Sequence, residues 1–227
     1  MHYTLIMERI PVARSLEQNE LNPAIAEGLR EVFSFEQEKF FIDKGGAASV
    51  YSLPQGFCVK IIDPRHNSPH KHLFNLGNTV LQEGHFQEVM SGLVTKSTTR
   101  TPKLLAIFSN QAVGEKGALV MEKLDAINLE HVLLRRQKLP DTFELESFFD
   151  NLEMFVQNMQ DNEKIVHGDL FARNVMVDIA TGQPRVIDWG RSQYLDMAKN
   201  DKGEQKLIND DWNNLNNMYE SVKALQM

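Results

Sequence analysis

The chain has one cysteine, Cys58, in 227 residues. A lone cysteine excludes an intramolecular disulfide and a cysteine-rich zinc site, and it suits a reducing compartment. No apolar run approaches the roughly 20 residues needed to span a bilayer. The start, Met-His-Tyr-Thr-Leu-Ile-Met-Glu, has no basic region followed by a long apolar core, so no cleaved secretion signal is read there. Repeats and low-complexity tracts are also missing. Basic residues are outnumbered, 24 Lys and Arg against 31 Asp and Glu for a net charge of −7, which argues against a nucleic-acid binder. Hydrophobic residues make up 42% and charged ones 24%, the proportions of an ordinary globular domain with enough length for a core. The expectation is a cytoplasmic protein with neither a nucleic-acid nor a membrane partner.

Residues 1–36 look like an N-terminal extension, and the rest reads as strands, one helix and strands, then mostly helices around a small hairpin. A helix is expected over 21–33, opened by Asn22-Pro23. Residues 38–62 read as two strands around a glycine turn, 64–72 as a loop and 77–94 as a helix. Strands are expected at 103–108 and 117–123. Over 142–160, Leu145, Phe148, Phe149, Leu152, Phe155, Val156 and Met159 recur at three- and four-residue spacing, the mark of an amphipathic helix. A terminal helix is expected over 208–225. His66, His70 and His72 read as a polar loop rather than a metal site.

The densest chemistry lies between 165 and 190. There Ile-Val-His-Gly-Asp-Leu-Phe-Ala-Arg-Asn-Val-Met-Val-Asp is followed by Val-Ile-Asp-Trp-Gly. Short Val- and Ile-rich runs at 165–166, 175–177 and 186–187 bracket a loop carrying His167, Asp169 and Asn174, and Asp188 ends the last run. Asp169 could orient and deprotonate an attacking hydroxyl. Asn174 and Asp188 offer hard oxygens that suit Mg²⁺. Upstream, 42–51 (Ile-Asp-Lys-Gly-Gly-Ala-Ala-Ser-Val-Tyr) supplies the small residues that let backbone approach a triphosphate, with an ordinary glycine hairpin as the rival. Lys60, inside the apolar Phe-Cys-Val-Lys-Ile-Ile, needs an anionic partner if buried. Glu83 shares a helix face with Phe86 and Met90 and is favoured for that role over Glu88.

These pieces, in this order, resemble the catalytic core of the protein-kinase-like superfamily, with its His-Arg-Asp-Leu-x-x-x-Asn and Asp-Phe-Gly motifs. The resemblance covers about residues 38–220. It implies an α+β, bilobal protein-kinase-like fold: a small antiparallel-sheet N-lobe with one helix over 37–124, then a reduced, mainly helical C-lobe over 125–227. It also implies ATP and Mg²⁺. Asp169 would act on the acceptor hydroxyl, Lys60 on the phosphates, and Asn174 and Asp188 on the metal. Gly45, Gly46 and Val50 would cover the nucleotide, with Asp43 and Ala48 at the outer glycine positions. Cys58 would roof the adenine and Met176 would floor it. Met121 would guard the back pocket, and the backbone of Glu122 to Leu124 would meet the adenine edge. Asn128–Leu133 resembles the helix that opens the large lobe. His167 would be structural. Asp211, or Asp210 in its place, would bond the catalytic-loop backbone or cap a helix.

Departures from the pattern refine these expectations. Gly168 stands where an arginine would bind an activating phosphate, and no Ala-Pro-Glu occurs between 191 and 210. Activation by loop phosphorylation is therefore not expected, which motivates an activating protein partner. His-Gly-Asp with Asp-Trp-Gly also looks like aminoglycoside phosphotransferases. The compact plan looks more like small archaeal–eukaryotic kinases and bacterial effector kinases, which adds delivery into a host cytosol without a cleaved signal as a second location. Arg173, in Asp-Leu-Phe-Ala-Arg-Asn, echoes tyrosine kinases, with serine or threonine the default acceptor. The leading expectation is a minimal protein kinase with a protein substrate. The rivals are a small-molecule kinase and a non-catalytic binding module.

Overall fold

A computed structural model describes residues 12–15, 22–32, 40–44, 48–62, 79–93, 95–108, 117–198 and 200–226. The chain divides into two compact units, one of residues 1–88 with 103–123, the other of 89–102 with 124–227.

The first unit is built on a sheet of six described strands: β1 (Val12–Ser15), β2 (Phe41–Lys44), β3 (Ala48–Leu53), β4 (Phe57–Ile62), β5 (Leu104–Phe108) and β6 (Gly117–Glu122), in the order β1-β5-β6-β4-β3-β2. Every pairing is antiparallel. Because side chains alternate along a strand, the sheet has two faces to bury. On one face Val59, Ala106, Phe108, Ala118 and Val120 pack with Ile25, Leu29 and Val32 of helix α1 (Pro23–Val32). On the other, Cys58, Ile62, Leu104, Ile107, Leu119 and Met121 pack with Val80 of helix α2 (Thr79–Ser91).

One helix is expected in this lobe, and α1 is a second. The stretch expected as an extension over 1–36 thus contributes β1 and α1 to the unit. Glycine makes the close approach possible: a Cβ on Gly28 would sit 2.5 Å from Pro54 Cδ. The two strands expected over 38–62 are three. Pro54-Gln55-Gly56 forms a turn between β3 and β4, with Gln55 at φ 61° and Gly56 at φ 77°. Pro54 and Gly56 are the break's signal in the sequence, since proline has no N–H for a ladder and glycine takes a positive φ at no steric cost.

The second unit holds a three-stranded antiparallel sheet of β7 (Ala126–Asn128), β9 (Val175–Asp178) and β10 (Pro184–Val186), ordered β10-β9-β7. A two-stranded pair joins β8 (Ile165–Val166) to β11 (Gln193–Tyr194). Arg100 extends the β10 edge: its N–H bonds the Pro184 oxygen and its carbonyl accepts from Val186 N–H. Helix α3 (Leu129–Leu133) is capped by Asn128, whose side chain accepts from Glu130 N–H. Helix α4 (Leu145–Asp161) buries Phe148, Phe149, Leu152, Phe155, Val156 and Met159, the stripe read from the spacing, with Leu145 half-buried. Helix α5 (Asp201–Gln226) packs on α4 and starts seven residues before its expected position. Its first turns, Asp-Lys-Gly-Glu-Gln-Lys, carry no apolar period. They are opened instead by Asn200, whose side chain accepts from Gly203 N–H. Among the described residues no helix is long and apolar enough to cross a membrane. The loop expected over 64–72, with its three histidines, lies outside the described residues.

Cys58 is buried on the α2 face of the sheet, and burial pushes its thiol up to about 12. Only thiolate reacts readily, so the folded protein should resist a disulfide reagent at pH 8. One thiol per chain should appear only on unfolding, measured by thiol titration across a urea series. Rapid labelling without denaturant would contradict this packing.

Candidate active site

In the first unit Lys60 and Glu83 meet. Lys60 shares the face of β4 that carries Cys58 and Ile62, toward α2, and its Nζ lies 2.6 Å from Glu83 Oε1. Both side chains are largely buried, 13% and 5% exposed, so each depends on charge compensation, and removing one would strand the other at about 3–5 kcal/mol. Gly84 lets α2 lie close to the sheet: a Cβ there would stand 2.6 Å from Ile107 Cδ1. Glu88, the rival partner, is half-buried, and it is Glu83 that meets the Lys60 ammonium.

The other nucleotide candidates of this unit lie on the same sheet. Val50 is directly opposite Lys60 in the β3–β4 register. Cys58 Sγ donates weakly to the Glu122 oxygen at 3.7 Å. Met121 is buried and its sulfur accepts from Gln87 Nε2. Of the backbone groups of Glu122 to Leu124 expected at the adenine edge, two N–H donors are engaged within the unit. Glu122 N–H is spent on the Lys103 oxygen and Lys123 N–H on the Gly56 oxygen, which leaves the Leu124 N–H as the donor of the three with no described partner. Gly45 and Gly46 lie outside the described residues.

In the second unit the 165–194 segment closes around one carboxylate. Asp211, fully buried on α5, accepts His167 N–H on Oδ2 at 2.8 Å and Gly168 N–H on Oδ1 at 3.1 Å. Burial pushes its carboxyl up, against the opposing pull of His167 and the two N–H groups. Asp211 sits mid-helix, so the capping alternative falls away, and Asp210 instead pairs with Lys206. Gly168 has φ 72°, and a Cβ there would lie 2.6 Å from the Arg191 oxygen. Both conditions demand glycine.

His167 is held on both ring nitrogens. Nε2 lies 3.0 Å from the Ile187 oxygen, and Nδ1 accepts from Asp169 N–H at 3.3 Å. That pattern requires the proton on Nε2 and leaves no nitrogen for a substrate. The ring packs on Trp189 at 4.7 Å. Ile187 N–H bonds the Asn174 oxygen, which brings Asp188 beside Asn174. Asp188 itself takes φ 66°, a left-handed turn that aspartate tolerates better than most residues.

Asp169, 7% exposed, is the centre of the loop. Oδ2 accepts Asn174 Nδ2 at 2.9 Å, and the same amide also donates to the Asp169 backbone oxygen. Oδ1 accepts Arg173 Nη2 at 2.8 Å and Arg191 Nη1 at 3.2 Å. With its amide nitrogen committed to Asp169, Asn174 has its Oδ1 left as a ligand. Among the described residues no group of three or more His, Cys, Asp or Glu could hold a metal. Mg²⁺ needs no such cage, since it takes one or two protein oxygens with water and phosphate, and Asn174 with Asp188 fit that donor set. Met176, on β9, faces away from the buried Val175 and Val177 and is half-buried. Arg191 gives no sign of a role in the sequence. An arginine after Asp-Trp-Gly carries no signal until the loop is folded.

The small antiparallel lobe, the helical lobe and this loop define a bilobal, protein-kinase-like fold. A family model described as the RIO domain matches residues 99–226, more than half of the chain, so the chain belongs to the RIO domain family, an atypical protein-kinase-like family. That family is kinase-like, with ATP binding and Ser/Thr autophosphorylation among its members. Asp169, Asn174 and Asp188 fall inside the match, and Lys60 and Glu83 fall outside it. Comparison with curated proteins finds no significant match.

Asp178, at the end of β9, accepts Arg185 Nε and Nη2 on one oxygen and Thr181 N–H and Oγ1 on the other. Burial raises its pKa, but the bonds from Arg185 and Thr181 outweigh that and hold it below the usual range. A depressed pKa gives stability that is present above the unfolded value of about 4 and is lost as pH falls through the folded value. Asp178→Asn should therefore lower Tm at pH 7, and the gap from the parent should close below about pH 4. A gap independent of pH from 7 to 3 would show that the carboxylate charge contributes nothing.

Proposed function

We propose that the chain is an ATP- and Mg²⁺-dependent protein kinase that transfers the γ-phosphate to a serine or threonine hydroxyl of a protein. One observation carries the reading: three donors fix the Asp169 carboxylate, two on Oδ1 and one on Oδ2. A carboxylate oxygen accepts about two hydrogen bonds, so the remaining lone pair of Oδ2 is the natural seat for an acceptor O–H. From there the acceptor oxygen attacks the γ-phosphorus, the bond to the β-phosphate oxygen breaks, ADP leaves, and the proton passes to Asp169. Lys60, steadied by Glu83, contacts the phosphates. Mg²⁺, held by Asn174 and Asp188, would neutralise phosphate charge. The chain's own contribution is positioning and a preorganised electrostatic field.

A protein acceptor is preferred to the small molecules of aminoglycoside phosphotransferases because members of the family phosphorylate their own serine and threonine residues. The single buried thiol favours work in a reducing cytosol.

The test uses γ-labelled ATP, Mg²⁺ and the wild type beside Asp169→Ala and Asp188→Ala, with protein-bound label, labelled small molecules and free phosphate separated. Wild type should label protein. Asp169→Ala should lose at least about 100-fold of that rate, and Asp188→Ala should lose Mg²⁺-dependent turnover. Label confined to small molecules, or an unchanged rate in either variant, would overturn the reading.

A further inference from the structure

We propose that Arg173 and Arg191 form a two-guanidinium clamp that selects acceptor peptides carrying an anionic side chain beside the reacting hydroxyl. The proposal rests on the protein-kinase reading above and adds the acceptor's charge to it.

The two side chains converge on a single atom, Asp169 Oδ1, from opposite ends of the loop segment, one four residues after Asp169 and the other 22 after it. Asp169 itself is 9% exposed at its side chain, whereas Arg173 is 46% and Arg191 50% exposed. Each guanidinium carries five N–H donors. Each uses one nitrogen on Asp169, and no other side-chain hydrogen bond is described for either. Arg173 is further held over the Phe171 ring at 4.6 Å, and Phe171 is itself 40% exposed.

Two guanidinium charges meet the one carboxylate of Asp169 at Oδ1, and with Asp188 given to the metal in the reading above, the acceptor side of the loop carries a positive excess. The chain as a whole is acidic, with a net charge of −7, so an acidic substrate has no general attraction to it and must be drawn locally. Holding Asp169 would need only one of these cations. The second, with its unfilled fork of donors, matches the bidentate geometry of a carboxylate or phosphate. Because Arg173 is steadied by Phe171, less side-chain entropy is lost when a ligand docks.

The experiment measures kcat/KM for serine-centred peptides that differ only in flanking residues: aspartate, phosphoserine, alanine or lysine. Wild type, Arg173→Gln, Arg191→Gln and the two lysine variants are compared. Wild type should favour the aspartate peptide over the alanine one by about tenfold, a difference of about 1.4 kcal/mol. The glutamine variants should shrink that ratio, the lysine variants should keep part of it, and added salt should weaken it. The phosphoserine arm shows which anion is preferred. If the glutamine variants lose kcat equally on every peptide with the ratio intact, the arginines only hold Asp169 and the clamp is overturned. A wild type with no acidic preference overturns it as well.

If wild type labels neither peptides nor itself, it is the kinase reading that fails. The clamp is then decided by anisotropy of the labelled peptides with Mg-ADP present. Acidic preference lost in the glutamine variants supports it, and equal binding of acidic and lysine peptides rejects it.

Discussion

The buried carboxylate of Asp211 is the constraint on which the catalytic loop depends. It takes two consecutive backbone N–H groups, those of His167 and Gly168, on a side chain that is itself fully buried. An aspartate that deep is tolerated only because both oxygens are used. In return it sets the peptide plane before Asp169. From there the order propagates: His167 bonds the Ile187 carbonyl, Ser192 Oγ bonds the His167 carbonyl, and β11 pairs with β8. A helix far along the chain thus fixes both Asp169 and the turn that carries Asp188.

The first unit solves a different problem. Lysine in the middle of an apolar strand is costly unless a partner arrives, and here alternation along β4 points Lys60 at α2 while Val59 points at α1. Gly84 then removes the side chain that would hold α2 off the sheet. The ion pair follows from strand parity and from one missing Cβ. Its burial sets it apart from a surface bridge of little worth.

Much of this is legible before folding. The spacing of His167, Asp169 and Asn174, the run ending at Asp188, and the apolar stripe of α4 are local patterns, and in the structure Asn174 bonds Asp169, His167 meets the Ile187 oxygen and the stripe is buried. The features that escape are those written in no local pattern. β1 and α1 belong to the sheet because an uncovered apolar face needs them, which only the folded sheet makes apparent. Arg191 reaches Asp169 through the register of β8 and β11. The polar start of α5 owes its helix to the Asn200 cap and the packing further along. The Glu122 and Lys123 donors look free for a ligand in the sequence, although neighbouring strands and turns claim them.

The double-sided sheet bears on how this family is excised for study. The recognisable RIO domain begins at Thr99, and a fragment cut there would keep β5 and β6 but lose four of their six-stranded company together with both covering helices. Leu104, Ile107, Val120 and Met121 would become a naked apolar ribbon with open edges, a template for self-association. The boundary at which the chain is recognised is therefore not one at which it can be divided.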